Sequence, residues 1–175
     1  MSLTMHNACV PALHRTLTAM LTWMDKAAEH AKSKGFEPDV YVGLRLAPDM
    51  FAFARQIQIA SDAAKNSVAR LTGAEPPSWP DDETTFEALR GRIQKTIDYV
   101  DASEASAFDG SETREIVMPA GPDLKFKLAG QEFLTGFALP NFYFHASMTY
   151  ALLRQAGVDL GKRDFLGAIE MEIVQ

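Results

Sequence analysis

Three polar residues, Asn141, His145 and Thr149, recur at four-residue spacing inside an otherwise apolar run, NFYFHASMTYALL over 141–153. At 100° per residue this spacing stacks them on one face of a helix. An imidazole there can act as acid, base or hydrogen-bond partner, because its ordinary pKa is about 6.5. The carboxamide and hydroxyl beside it supply orienting donors and acceptors. A buried polar group left without a partner costs about 1–3 kcal/mol. The stripe therefore either completes a structural hydrogen-bond network or lines a pocket between helices.

Partners for it are found in an earlier segment. On a helix opening at Pro48 and Asp49 and running to Leu71, Asp49, Gln56 and Ser67 flank the apolar stripe, whereas Arg55, Gln58 and Asp62 point to the far side. Gln56 and Asp49 are thus expected to approach Asn141 and His145. On this reading His145 is the candidate catalytic residue, and Asn141, Gln56, Asp49 and Thr149 are the candidate substrate-binding residues. Ser147 lies two residues from His145 and points about 200° away, which disfavours a serine nucleophile activated by this histidine. His6, His14 and His30 follow one another at separations of 8 and 16 residues on the first helix, about 12 and 24 Å, too far apart to share an ion.

The elements that must hold these residues are read from periodicity. A first helix spans 7–34, with Pro11 in its first turn and Gly35 as its stop. A connector with room for a short helical turn at 38–42 leads to the second helix, closed by Gly73. There Met50, Phe53, Ile57, Ala60, Ala64, Val68 and Leu71 fall within an arc of about 80°. Three prolines in the loop AEPPSWPDD (74–82) forbid helix. Thr84 and Glu87 read as a capping box for a third helix carrying Phe86, Leu89, Ile93, Ile97 and Val100 to about Ala107. Strands at 115–118 and 124–127 flank a turn over 119–123. The last long helix covers 131–156, kinked or restarted at Pro140. With Asn141 at zero on the wheel, its apolar residues occupy two arcs: Phe142, Ala146, Tyr150 and Leu153 on one side, Phe144, Met148, Ala151 and Leu152 on the other. A helix apolar on two sides is expected to be central and heavily buried.

The chain has 175 residues, 47% apolar and 23% charged, which suits one soluble globular domain over 1–175. A net charge of −6 disfavours nucleic acid as a partner, because phosphate-backbone affinity comes from clustered Lys and Arg. Lys125 and Lys127 alternate with apolar residues as on a hairpin with one wet face, and GKRD at 161–164 reads as a solvated turn. No run reaches about eighteen apolar residues, and 1–10 lacks the pattern of a signal peptide, so no membrane association and a cytoplasmic location are expected. Cys9, the only cysteine, excludes an intrachain disulfide, a zinc finger and a CxxC site. It reads as a structural thiol near the start of a helix. Tyr143, Tyr150 and Arg154 share a face suited to core packing with a surface Arg, or to a dimer contact.

Three segments in this order, RLAPDMFAFARQIQIASD (45–62), DDETTF (81–86) and NFYFHASMTYALLRQAGVDLGKRDFLG (141–167), resemble an uncharacterised bacterial family catalogued as a domain of unknown function. That family sits in the DinB/YfiT-like superfamily of four-helix bundles. The resemblance covers nearly the whole chain. It implies an all-α, up-down-down-up four-helix bundle with a small β-hairpin between the third and fourth helices, and a homodimer. In the metal-binding branches, one histidine on the second helix and two in an HxxxH on the fourth hold a divalent ion with open positions. Matched at Leu153 and Arg154, His145 falls on the second histidine of HxxxH and Asn141 on the first, and 48–72 contains no histidine. A carboxamide oxygen is a poor ligand for zinc or nickel beside an imidazole, so the resemblance implies a degenerate metal site and no cofactor. Thiol-dependent transferases and isomerases of the superfamily point to transfer on a small substrate. Two readings follow: a protein binding a small molecule in an inter-helix pocket around His145 without a tightly bound metal, or a structural or interaction protein acting as a homodimer.

Overall fold

The computed structural model describes residues 3–119, 121 and 123–169. Helix α1 spans Met5–Lys34, α2 Phe53–Thr72 and α3 Phe86–Asp101. Strands β1 (Glu115–Pro119) and β2 (Lys125–Ala129) form an antiparallel pair with Ile116 opposite Leu128 and Met118 opposite Phe126. Ala120 and Pro122, expected in the turn between them, lie outside the described residues. Helix α4 (Leu139–Gln155) is entered through a helical turn at Gly130–Glu132 and a π-helical segment at Phe133–Ala138; a short α5 follows at Lys162–Leu166.

Side-chain pairs fix the directions. His14 early in α1 meets Asp101 at the end of α3, and Arg90 near the start of α3 meets Asp25, so these two helices are antiparallel. Phe53 and Phe86 each open their helix and stack with centroids 6.2 Å apart, so α2 and α3 start at the same end. Gln56 near the start of α2 touches His145 in α4, whereas Ser67 and Arg70 near its end face Phe133 and Phe137 ahead of α4. Those helices are antiparallel. Gly157, just past α4, meets His30 near the end of α1, which makes α1 and α4 parallel. The result is the expected up-down-down-up bundle with α1 and α2 on a diagonal.

The core follows the predicted stripes. Phe53, Ile57, Ala60, Ala64, Val68 and Leu71 of α2 are buried, as are Leu89, Ile93, Ile97 and Val100 of α3. Gly35 and Gly73 end α1 and α2 in the left-handed conformation at φ 76° and 79°, where a residue with a Cβ is strained. Ile116 and Met118 of the hairpin are buried, so the two strands borrow the bundle's core. Gly130 seals the join between hairpin and helix: a Cβ there would sit 1.9 Å from the Ser111 carbonyl oxygen.

Several boundaries differ from expectation. α1 starts earlier, with Thr4 as its N-cap, so Pro11 lies in the second turn rather than the first. α3 is capped by Thr85, whose hydroxyl accepts from Ala88 N at 3.2 Å, instead of by a Thr84–Glu87 box. It ends at Asp101, and a separate 3-10 turn at Ala105–Phe108 then brings Phe108 into the core. Pro140 restarts the last helix, as expected: regular α-helix begins at Leu139 with Pro140 in its first turn, directly after the π-helical segment. The proline lacks the N–H that an α-helix needs, and the turn before it widens, with Leu139 N bonding five residues back to Leu134 O. The two-sided burial of α4 holds only in part: Phe142, Ala146 and Leu153 of the first arc and Leu152 of the second are buried, but Phe144 is 53% exposed and Met148 only half-buried. Among the described residues no helix is long and apolar enough to cross a membrane.

Candidate functional site

The polar stripe of α4 lies along the boundary between its buried and exposed faces. Thr149 is fully buried, His145 is 7% exposed and Asn141 is half-buried, so the three are graded from core to surface. Each makes a different kind of contact. Thr149 Oγ1 donates back to the His145 carbonyl at 3.0 Å and is satisfied within its own helix. Asn141 stands in the wall of a cleft between α2, β1 and the π-helical segment. His145 reaches across to α2.

Gln56, 2% exposed, is the residue it meets, with Nδ1 and Oε1 2.7 Å apart. The orientation of the carboxamide settles which atom donates. Gln56 Nε2 lies 3.1 Å from the carbonyl oxygen of Phe51, which can only accept, so the amide nitrogen points there and Oε1 faces the imidazole. His145 Nδ1 must then carry the proton and donate. Nε2 is left with its lone pair and bonds to no group among the described residues. The edge of the ring packs against Phe144, with centroids 5.1 Å apart.

Burial pushes the His145 pKa down, and the Arg55 guanidinium nearby adds to the effect. The neutral form is therefore the native one. In the unfolded chain the ring titrates near about 6.5, so this group's contribution to stability is fully present above that pH and is lost as pH falls toward the lower native pKa. Urea unfolding at about pH 7.5 and about pH 5.5 is expected to show a larger acid loss in the wild type than in His145→Gln. An equal loss in both proteins would count against a buried neutral imidazole.

Asp49 does not join the site. The helix begins at Phe53 because Phe53 N and Ala54 N bond back to Leu44 O and Val42 O, at 2.8 and 3.2 Å, and the chain before it is folded into turns. Asp49 lies exposed in those turns, outside the helical wheel that would have aimed it at His145. The structure thus pairs Gln56 with His145, puts Asn141 one helical turn along, and leaves Asp49 outside.

Sequence reasoning also missed a charged network on the far side of α2. Arg92, 3% exposed, reaches Asp62 and Asp81 through Nη2 at 2.9 and 3.0 Å, and Glu83 and the Pro80 carbonyl through Nη1 at 2.9 and 2.8 Å. Gln58 donates to Glu83, Lys65 pairs with Asp62, and Arg55 pairs with Asp81. The outward wheel positions of Arg55, Gln58 and Asp62 were the only signal of it, because the other half comes from a loop without periodicity.

His145, Gln56 and Asn141 make a poor metal set. The one imidazole has turned Nδ1 to a carboxamide, and the other two side chains are neutral amides. Among the described residues no group of three His, Cys, Asp or Glu side chains could hold a metal ion. What the arrangement supplies is a neutral imidazole, locked in one tautomer, with a basic nitrogen available as acceptor.

Comparison with known proteins bears on the whole chain. Residues 5–166 match the family described as a domain of unknown function, DUF1993. A DinB family member protein from Shewanella denitrificans, with a crystal structure at 1.83 Å resolution, is 37% identical and superposes with a TM-score of 0.89. The alignment covers 97% of this chain and 95% of that one. The curated proteins contain no match.

Proposed function

The chain belongs to the DUF1993 family, a domain of unknown function, and on that premise we propose that it binds a small molecule at the seam between α2 and α4 without a tightly bound metal. The reading is carried by one observation: Gln56, itself pinned by Phe51, holds Nδ1 of His145 as donor and leaves Nε2 as an unpaired acceptor. A ligand hydroxyl, thiol or amide could donate to it, and the same nitrogen could take that proton as a general base. Asn141 supplies a second polar contact at the surface end of the seam.

Thermal-shift screening of the full chain against metals, thiols and metabolites tests this, with His145→Gln as the comparison. A ligand present at about 100 times its dissociation constant stabilises by about 2.7 kcal/mol, which raises the melting point of a chain this size by about 5–10 °C. That rise is expected in wild type and not in the variant. Stoichiometric zinc or nickel bound through His145 would overturn the metal-free reading. If no compound separates the two proteins, the ligand-binding reading falls. The second reading, a homodimer acting through the face where Phe51 is 56% and Phe144 53% exposed, is then decided by sedimentation of the same samples.

A further inference from the structure

Beyond Asn141, on the side away from His145, a cleft of about 240 Å³ runs between α2, the π-helical segment and the end of β1. Met118, Phe133 and Phe137 give it an apolar side. The α2 side is polar and carries two charged residues, Asp62 and Arg70. They are not equivalent. Asp62 is already neutralised by Lys65 at 3.0 Å and Arg92 at 2.9 Å. Arg70 makes no ion pair and no side-chain hydrogen bond among the described residues. Burial lowers its pKa, and Glu75, acting from beyond ion-pair distance, opposes this only in part.

One neighbouring polar group, Asn66, is also turned as a donor. Asn66 Oδ1 accepts from Lys65 Nζ at 3.0 Å, which leaves its amide nitrogen as the uncommitted end. Asn141 offers a second carboxamide with no side-chain partner among the described residues. A half-desolvated guanidinium without a counter-ion is unfavourable, and its planar fork matches two carboxylate oxygens. One positive charge, offset only in part by Glu75, suits a monoanion better than a phosphate dianion. The volume is below the 300–1,000 Å³ of drug-sized pockets, which keeps the ligand small.

We propose that this cleft binds a small organic monocarboxylate, its carboxylate forked on Arg70 and assisted by Asn66, its apolar body against Met118 and Phe137. The site goes beyond the reading of His145, which is not part of the cleft wall. Phenylacetate titrated into ¹⁵N-labelled full-length protein is expected to move the Arg70 Nε–H resonance and the side-chain amides of Asn66 and Asn141. Phenylacetamide, of the same shape without the charge, is expected to bind at least about tenfold more weakly, as is phenylacetate to Arg70→Gln. The proposal is overturned if phenylacetate at about 10 mM leaves these resonances in place, or if the amide binds equally well. Unchanged binding by folded Arg70→Gln also overturns it. Inorganic phosphate displacing phenylacetate at lower concentration would reassign Arg70 to phosphate and end the carboxylate assignment. Should Arg70→Gln fail to fold, the comparison of acid and amide on wild type decides alone.

Discussion

Arg92→Ala is expected to cost about 3 kcal/mol of folding stability, near the lower end of the 3–5 kcal/mol seen when one partner of a buried ion pair is removed. The side chain of Arg92 is 2% exposed, and one guanidinium serves three carboxylates and a backbone carbonyl. Truncation leaves a cavity and takes the shared cation from Asp62, Asp81 and Glu83. The cost stays below the upper limit because these acids are 31%, 33% and 13% exposed and so recover some hydration, and because Lys65 and Arg55 still pair with two of them. Arg92→Lys keeps the charge but cannot span the cluster, and is expected to lose about 1.5–3 kcal/mol, the range for hydrogen bonds to charged groups. Urea midpoints at unchanged m-value give the measurement. Trp79 gives a second readout, because it lies on the loop the network fastens and packs under Lys95 and Lys65, 4.2 and 5.2 Å from its ring centre. A loss below about 1 kcal/mol for Arg92→Ala would mean that the cluster behaves as a solvated surface network.

The same network shows what the sequence could and could not reveal. Period 3.6 placed Met50 to Leu71 and Leu89 to Val100 on core faces, and the structure buries both sets except Met50, which lies ahead of the helix, because a single apolar stripe on an otherwise polar helix marks the one face that can pack inward. Gln56 and His145 could be brought together for the same reason: each lies on a wheel whose apolar face fixes its direction. Where a helix starts is decided by partners elsewhere in the chain. Phe53 N and Ala54 N bond to carbonyls nine and twelve residues earlier, so the helix opens after Asp49 and excludes it from the seam. Thr84 and Thr85 are chemically equal as caps, and a distant group takes part in the choice: Asp39 Oδ1 accepts from Phe86 N at 2.7 Å. The outward position of Phe144 was misread because a wheel reports apolarity and says nothing of whether an element covers it. Arg92 escaped notice because its three carboxylates come from two distant stretches of chain, Asp62 on α2 and Asp81 and Glu83 at the end of a proline-rich loop. The family, in contrast, was legible from three runs of residues, and its match extends over 5–166.

Trp23→Ala is expected to destabilise the fold by about 3–5 kcal/mol, the range for truncating a large buried aromatic. Trp23 is 0% exposed and ties three elements together. Its indole stacks on Phe165 with centroids 5.5 Å apart and an interplanar angle of 14°, and meets Tyr150 of α4 edge-on at 5.5 Å. Nε1–H donates to the Asp164 carbonyl at 2.8 Å. Helix α5, with five residues, is far too short to be stable by itself, so its order depends on such contacts. Lys26 assists by pairing with Asp164 at 2.6 Å, and Asp164 in turn accepts from Gly161 N at 2.7 Å. The Lys26–Asp164 pair is partly exposed and contributes little by comparison. Trp23→Phe separates the two roles of the indole. It keeps most of the apolar contact but leaves the Asp164 carbonyl without its donor, a cost of about 1–3 kcal/mol confined to α5. Hydrogen exchange should then show early loss of protection at Phe165 and Gly167, whose amides bond to Gly161 and Arg163, while α2 and α3 open only with global unfolding. If Trp23→Ala kept those two amides protected and lost less than about 1 kcal/mol, α5 would have to be held by something other than the indole.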